Sequence, residues 1–254
     1  MTLGLPLPTM FAFMLVLARV AGLVAFLPIP GFKSAPNMIR VVFAMAIAFA
    51  LFPVWPALPD RLPTFGELTV AAFAELGFGL AAGLAVAFLT ESFQIAAQVL
   101  GVQAGYGFAS TIDPSSQADS GVLQVMMTLV TGLLFFTTGV DGQLIRILAA
   151  SFEKFPAGSW APAAAGLDGI VRLGGEIFST GVRVAMPVIA LLVLIDIALA
   201  LIGRMQQQLH LLSLSFPVKM LAAVSMLAVL APVIARIFAA AAERTMATLA
   251  QMTR

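Results

Sequence analysis

The sequence predicts an all-α integral membrane protein in which several long apolar helices form a single domain over residues 1–254. First, 61% of the residues are hydrophobic and only 10% are charged, whereas soluble globular domains are about 45 to 50% apolar and about 25% charged. Second, the mean hydropathy is +1.06, and apolar runs near the length that spans a bilayer recur along the chain. Third, proline and glycine concentrate in short stretches between these runs.

Each predicted helix is an apolar run bounded by polar, proline or glycine residues. The predicted helices are approximately Met10–Leu27, Met38–Phe52, Leu68–Leu89 continuing to Leu100, Val122–Phe136, Leu144–Phe155, Ile170–Ile202 and Leu211–Ile237, with an alanine-rich tail beyond. The predicted connections are residues 28–36, 53–63 and 156–168. The first run lacks a preceding basic segment and a small-residue cleavage pattern, so we expect it to remain as the first helix and not to be removed as a signal peptide.

Composition excludes several classes of function. The chain contains no cysteine, which excludes disulfide frameworks, thiolate zinc sites and cysteine nucleophiles. The net charge of +1 gives no support for nucleic-acid binding. The single histidine, His210, has no second histidine or cysteine with which to share a metal, and neither a Walker A motif nor a dinucleotide-binding motif is present. We therefore predict that the protein is not an enzyme and uses no cofactor or metal.

Charge is distributed unevenly along the chain. Residues 62–145 contain no lysine or arginine and carry six acidic residues, whereas the segments on either side are net basic. Under the positive-inside rule, loops in this acidic block lie away from the cytoplasm. The alternative is a chance distribution in a chain with few charges.

Single charged residues lie inside the apolar runs, where each costs about 2.5 to 3.5 kcal/mol on membrane-insertion scales. Two interpretations are open: an ion relay, or pairing between helices or subunits. Pairing is favoured because no run concentrates several carboxylates. The predicted buried charges for helix or subunit packing are Arg19, Glu75, Asp196, Arg204 and Lys219.

Two glycine pairs have the spacing at which helix backbones approach closely: Gly79 with Gly83, and Gly101 with Gly105. The second pair opens a segment, Gly101–Gly121, in which Gly, Ser, Asp and Pro replace aliphatic residues. Helix does not easily run through such a segment. Irregular backbone at membrane depth must be enclosed by protein or face a water-filled cavity, so the segment is either a pore loop or an exposed connection outside the bilayer.

The pattern G-x-Q-x-G-x-x-F-A-S-x-x-D-P-x-S falls on Gly101, Gln103, Gly105, Phe108, Ala109, Ser110, Asp113, Pro114 and Ser116. It is accompanied along the chain by Arg19, the 28–40 stretch, Arg204-Met205 with Gln208-Leu209, and Phe216-Pro217-Val218-Lys219. In these residues the chain resembles the flagellar biosynthesis protein family FliR and its counterpart in virulence type III secretion, SctT. The chain departs from the family pattern at Gln98, Gln207 and Ser215, which leaves the local turn near Gln207 undetermined.

The resemblance implies a structural subunit of a protein export gate, in which helical hairpins pack with FliP-like and FliQ-like subunits into a helical assembly. It also implies a FlhB-like gate protein as a partner, unfolded exported polypeptides as cargo, and a location in the bacterial inner membrane at the flagellar basal body. The segment 101–121 is similar to the family's channel plug. No nucleic acid is expected as a partner.

Three alternatives to a flagellar export subunit remain. One is the export gate of a virulence injectisome, although the 101–116 pattern is closer to the flagellar branch. The second is a secondary transporter, which requires internal repeats with matching broken helices, and no convincing repeat relates the two halves. The third is a membrane enzyme, which requires clustered His, Asp or Glu, and the acidic residues are scattered singly.

Overall fold

In the computed structural model, the described residues are 7–30, 35–56, 64–106, 121–155, 158–160, 164–205 and 211–252. They form seven α-helices and one short 3-10 helix, and these residues contain no β-strand. The helices are α1 Leu7–Val24, α2 Asn37–Ala50, the 3-10 helix Phe52–Val54, α3 Phe65–Ala104, α4 Val122–Thr137, α5 Val140–Lys154, α6 Ala164–Met205 and α7 Leu211–Met252. The prediction of an all-α fold is confirmed.

Four helices, α1, α3, α6 and α7, are long and apolar enough to cross a membrane, and the bent pair of α4 and α5 makes a possible fifth span. The prediction of a membrane protein with several helices is therefore confirmed. Helices of 40 to 42 residues are about 60 Å long at about 1.5 Å per residue. A bilayer core is only about 30 Å thick, so about half of α3, α6 and α7 extends beyond it if they cross steeply.

The observed helices are longer than the predicted ones. The predicted connection 156–168 is wrong at its end, because α6 begins at Ala164. The first six residues of α6 are Ala-Ala-Gly-Leu-Asp-Gly, and two glycines in so short a stretch favour a loop. Arg172 nevertheless forms an i,i+4 ion pair with Asp168 at 2.7 Å, which supports helix here. The predicted end of the last helix at Ile237 is also too early, because the alanine-rich tail continues as helix to Met252, in accord with the high helix propensity of alanine.

The start of α3 is fixed by a capping box. The backbone N–H of Thr64 donates to the Glu67 carboxylate at 2.7 Å, and the backbone N–H of Glu67 donates to the Thr64 hydroxyl oxygen at 3.3 Å. Two backbone N–H groups that the helix leaves without partners are thereby satisfied. Thr64 and Glu67 are three residues apart, so a short sequence pattern fixes the residue at which α3 begins.

The chain divides into two compact units. Unit 1 contains residues 1–88, 135–174 and 242–254, and unit 2 contains residues 89–134 and 175–241. Because α3, α4, α6 and α7 each contribute to both units, neither unit corresponds to a continuous stretch of sequence.

In unit 1, α2 packs on α1 through an aromatic cluster. The rings of Phe13 and Phe49 stack with centroids 4.9 Å apart, and the Trp55 ring lies beside both. The Trp55 indole N–H donates to the Ala48 carbonyl at 2.9 Å. Ala44 and Ala48 are the buried residues of α2, so the described part of the chain leaves most of the apolar surface of this short helix uncovered.

In unit 2, the core forms where α3, α6 and α7 meet. Phe93 of α3 packs against Phe238 of α7, with ring centroids 5.5 Å apart, and both are fully buried. A Cβ atom placed on Gly181 of α6 would lie 2.8 Å from the Ser92 carbonyl oxygen of α3. The absence of a side chain at Gly181 therefore allows the α3 and α6 backbones to approach closely.

Candidate functional site

Two of the predicted buried charges meet in unit 1. The Arg19 Nε on α1 donates to the Glu75 carboxylate on α3, and both side chains have no solvent exposure. Removing two charges from water is expensive, and their attraction offsets that cost only when the remaining polar atoms are also hydrogen-bonded. The surroundings of the pair supply most of these bonds.

The other polar atoms of the pair bind α5 and the residues after it. Arg19 Nη1 donates to the Ser151 hydroxyl at 2.6 Å, and the Gly158 backbone N–H donates to Glu75 Oε1 at 2.8 Å. Arg19 Nη2 is buried and has no hydrogen-bond partner among the described residues. The guanidinium also lies over the rings of Phe78, at 4.8 Å, and Phe152, at 4.1 Å, where cation-π attraction favours a cation.

Glycines bring α1 and α3 together directly beside this pair. A Cβ atom on Gly22 would lie 2.7 Å from the Leu76 carbonyl oxygen, and one on Gly83 would lie 2.9 Å from the Leu23 carbonyl oxygen. A Cβ atom on Gly79 would collide with the Arg19 carbonyl oxygen. The predicted Gly79 and Gly83 pair therefore packs α3 against α1, and the contact places Arg19 within reach of Glu75.

The glycine-rich segment begins later than the sequence indicates. Gly101 and Gln103 belong to α3, which ends at Ala104, so the expectation that helix stops at Gly101 is wrong. Glycine inside a helix costs about 1 kcal/mol relative to alanine. Packing outweighs that cost here, because Leu100, Gly101 and Ala104 are all buried.

Gly105 ends α3 in a Schellman motif. It has a φ of 85°, a left-handed conformation that glycine adopts readily. Its N–H donates to the Val102 carbonyl at 3.1 Å, and the Tyr106 N–H donates to the Gly101 carbonyl at 3.0 Å. Burial raises the pKa of the Tyr106 phenol. The remaining predicted loop residues, Phe108, Ala109, Ser110, Asp113, Pro114 and Ser116, lie outside the described residues.

A second charged pair lies beside this helix end in unit 2. Lys219 Nζ on α7 lies 2.9 Å from Asp196 Oδ1 and 3.0 Å from Oδ2 on α6, and the Gln103 amide donates to Asp196 Oδ2 at 3.4 Å. The Lys219 side chain is 12% exposed and that of Asp196 is 41% exposed. The Phe216 ring, one turn before Lys219, covers Gly105, where an added Cβ atom would lie 2.5 Å from the ring.

Arg204 differs from the other predicted buried charges. It lies on the last turn of α6 and is exposed in the isolated chain. Burial of Arg204 therefore requires a neighbouring subunit and stays a prediction.

Sequence reasoning missed Ser151, Phe78, Phe152 and Gly158 as neighbours of the buried pair. Ser151 is 132 residues from Arg19, and no local pattern connects them. Among the described residues, no group of three or more His, Cys, Asp or Glu side chains is arranged to hold a metal ion. The two charged clusters described above are hydrogen-bonded ion pairs, and each joins different helices.

Comparison with known proteins places this arrangement in a family. Residues 10–245 match the family model of bacterial export proteins, family 1. The FliR flagellar biosynthetic protein of Escherichia coli strain K12 is 31% identical over 220 residues, which cover 86% of this chain and 84% of that protein. The chain belongs to the FliR family of bacterial export proteins.

Other FliR proteins match over similar lengths. The flagellar biosynthetic protein FliR of Aquifex aeolicus is 28% identical over 201 residues, 79% of this chain and 78% of that protein. The FliR protein of Bacillus subtilis strain 168 is 26% identical over 226 residues, 88% and 87% of the two chains. The family-model match over residues 10–245 includes most of both units, with the buried pair of unit 1 and the end of α3 in unit 2.

Proposed function

We propose that this chain is a structural core subunit of the bacterial flagellar type III protein export gate, in which it forms a channel with FliP-like and FliQ-like subunits. The family match over residues 10–245 carries this proposal, and the relatives named above are flagellar proteins. The flagellar apparatus is for that reason preferred to a virulence injectisome. The proposed location is the inner membrane, at the base of the flagellum.

The uncovered apolar surface supports a role in an assembly. Within the most apolar window of α6 only 17% of residues are buried by the chain itself, and within that of α7 only 22%. The large apolar side chains exposed on α6 extend from Val171 to Met205, a length of about 50 Å at about 1.5 Å per residue. Lipid covers such surface only across about 30 Å. The remainder of this surface requires apolar neighbours, which FliP-like, FliQ-like and FlhB-like proteins would supply.

The segment 101–121 is proposed to act as the plug of the channel before export. Its composition of Gly, Ser and Asp-Pro suits a seal that moves aside for an unfolded polypeptide, because such residues resist a fixed helix. Residues 101–106 are anchored in unit 2, as described above. The proposed contribution of the chain is structural, with no catalytic step of its own.

The proposal is tested by purifying an affinity-tagged copy from the native membrane and identifying the proteins that remain bound. Recovery of FliP-like and FliQ-like proteins in one detergent-stable particle, together with loss of flagella on deletion of the gene, supports an export-gate subunit. Recovery of injectisome components would reassign the apparatus. A lone monomer or homodimer would contradict the proposal and favour a secondary transporter.

A further inference from the structure

Three sequence motifs that lie far apart along the chain meet at one place in unit 2. The first is the end of α3, with Gln103 and Gly105; the second is Asp196 on α6; the third is the Phe216-to-Lys219 stretch on α7. None of the three contacts follows from helix packing alone, since two are polar and the third requires a left-handed glycine. The grouping therefore calls for an explanation beyond core formation.

The polar contacts converge on Asp196. Its carboxylate accepts from both Lys219 and Gln103, so one side chain connects α3, α6 and α7. Between Arg183 and Arg204, Asp196 is the only charged residue of α6, and between its start and Arg236, Lys219 is the only charged residue of α7. An ion pair inside apolar helices is costly, and apolar residues at both positions would join α6 and α7 without that cost. A polar acceptor is required, however, to hold Gln103.

The apolar contact acts on the same helix end. The Phe216 ring occupies the space beside Gly105 that any side chain would fill, and Gly105 sets the direction in which the chain leaves α3 through its φ of 85°. Phe216 and Lys219 lie about one turn apart on α7. The Phe216 ring contacts Gly105, and the Lys219 ammonium binds Asp196, which also accepts from Gln103. Pro217 stands between Phe216 and Lys219 in sequence and lies inside α7, at its seventh residue, where the missing backbone N–H leaves a carbonyl of the preceding turn without its helical donor.

We propose that Gln103, Asp196, Lys219 and Phe216 are positioning residues that fasten the end of α3 to α6 and α7, and so set the path of the chain that leaves Gly105. This junction has two separable parts. Gln103 attaches α3 to Asp196, whereas Lys219 neutralises Asp196 and holds α7 in register. Its influence on export rests on the proposed function, because it matters there only if the segment after Gly105 plugs the channel.

The junction is tested by spin-label distances in the assembled complex. The chain has no cysteine, so introduced pairs are its only labelling sites once partner cysteines are replaced. One pair joins α3 to α7, at the exposed residues Val102 and Leu221; the other joins α6 to α7, at the exposed residues Leu194 and Leu221. Gln103→Leu is expected to broaden the Val102 to Leu221 distance distribution and to leave the Leu194 to Leu221 distribution unchanged.

Two further variants keep the test decisive. Gln98→Leu is the matched control, because Gln98 is an exposed glutamine on the same helix, and it is expected to change neither distribution. The double variant Asp196→Leu with Lys219→Met leaves no unpaired charge to prevent folding, and it is expected to broaden the α3 to α7 distribution as Gln103→Leu does. Unchanged distributions in both Gln103→Leu and the double variant would overturn the junction.

Ion leakage through the same complexes in proteoliposomes separates this inference from the plug. Broadening together with increased leakage supports both the junction and the plug. Broadening without leakage supports the junction and contradicts the plug. Leakage without broadening contradicts the junction, because the end of α3 would then be held by other contacts.

Discussion

Arg19 and Glu75 form an ion pair that is fully excluded from solvent and that joins α1 to α3. Each partner has a further hydrogen bond: Arg19 to Ser151 on α5, and Glu75 to the Gly158 N–H in the segment after α5. One pair therefore fixes three helices and a connection in unit 1. Its removal is the most direct test of whether the buried charges serve packing.

Substitution of one partner is expected to be far more damaging than substitution of both. Glu75→Gln leaves a buried guanidinium without a counter-charge, a change that costs about 3 to 5 kcal/mol in comparable buried pairs. The double variant Arg19→Met with Glu75→Leu removes both charges and should be much milder. The thermal midpoint of the detergent-solubilised complex measures the difference.

Glu153→Gln is the matched control for this pair, because Glu153 lies on α5 in the same unit and is exposed. It is expected to leave the midpoint unchanged. A double variant as unstable as Glu75→Gln would show that the two residues contribute through shape and not through charge.

The contact between α1 and α3 predicts strong intolerance of a methyl group at Gly79. The added Cβ atom of Gly79→Ala would collide with the Arg19 carbonyl oxygen, which is backbone and cannot move independently. The helices would have to separate and the ion pair would stretch, so we expect loss of stable protein from the membrane. Gly66→Ala on the same helix meets nothing within 4 Å and should be neutral or slightly stabilising. Quantitative immunoblotting of membranes distinguishes these outcomes, and equal levels for the two variants would contradict the close approach.

The capping box predicts a smaller effect at the start of α3. Thr64→Ala removes the hydroxyl that accepts from the Glu67 N–H, and loss of such a cap costs about 1 kcal/mol. Thr69→Ala is the control, since its hydroxyl donates only to carbonyl oxygens of its own helix, those of Phe65 and Gly66. Thermal melts of the solubilised complex should show a lower midpoint for Thr64→Ala alone. A lower midpoint for both variants would indicate a general loss of side-chain packing at this end of α3.

The sequence predicts the helices well and their ends poorly. Apolar runs identify α1, α3, α6 and α7, because a helix that crosses the bilayer needs a long stretch of apolar residues whose backbone groups bond within the helix. Hydropathy does not reveal the start of α6 before Ile170 or the continuation of α7 beyond Ile237, because helix outside the bilayer needs no continuous apolar run. Composition predicts a loop at Gly101, whereas packing of Gly101 and its neighbours keeps it helical.

The sequence predicts the charged residues of the candidate sites but not their partners. The sequence identifies four rare charges in apolar runs: Arg19, Glu75, Asp196 and Lys219. The free-energy cost of placing a charge in such a run must be offset by a partner. The partners of these charges lie 23 to 132 residues away along the chain, at separations that no local sequence pattern encodes. Gly105 was singled out by motif, but its contact with Phe216 required the fold.

A comparison of alanine substitutions at Gly105 and Gly139 measures how strongly the Phe216 ring restricts the end of α3. Both have positive φ, 85° and 70°, so alanine at either position is strained by about 1 to 2 kcal/mol. Only at Gly105 does the added Cβ atom also meet a neighbour, the Phe216 ring; at Gly139 nothing lies within 4 Å. Gly105→Ala should therefore lower the thermal midpoint of the complex more than Gly139→Ala.

Removal of the ring separates backbone strain from collision. In a Phe216→Ala background, Gly105→Ala should be only about as destabilising as Gly139→Ala, because strain alone remains at both glycines. The wild type, Gly105→Ala, Phe216→Ala and the double variant form a double-mutant cycle, in which the coupling between positions 105 and 216 is read from the midpoints. Coupling near zero would mean that Phe216 moves aside at no cost, and the ring would then exert no control over the direction in which the chain leaves α3.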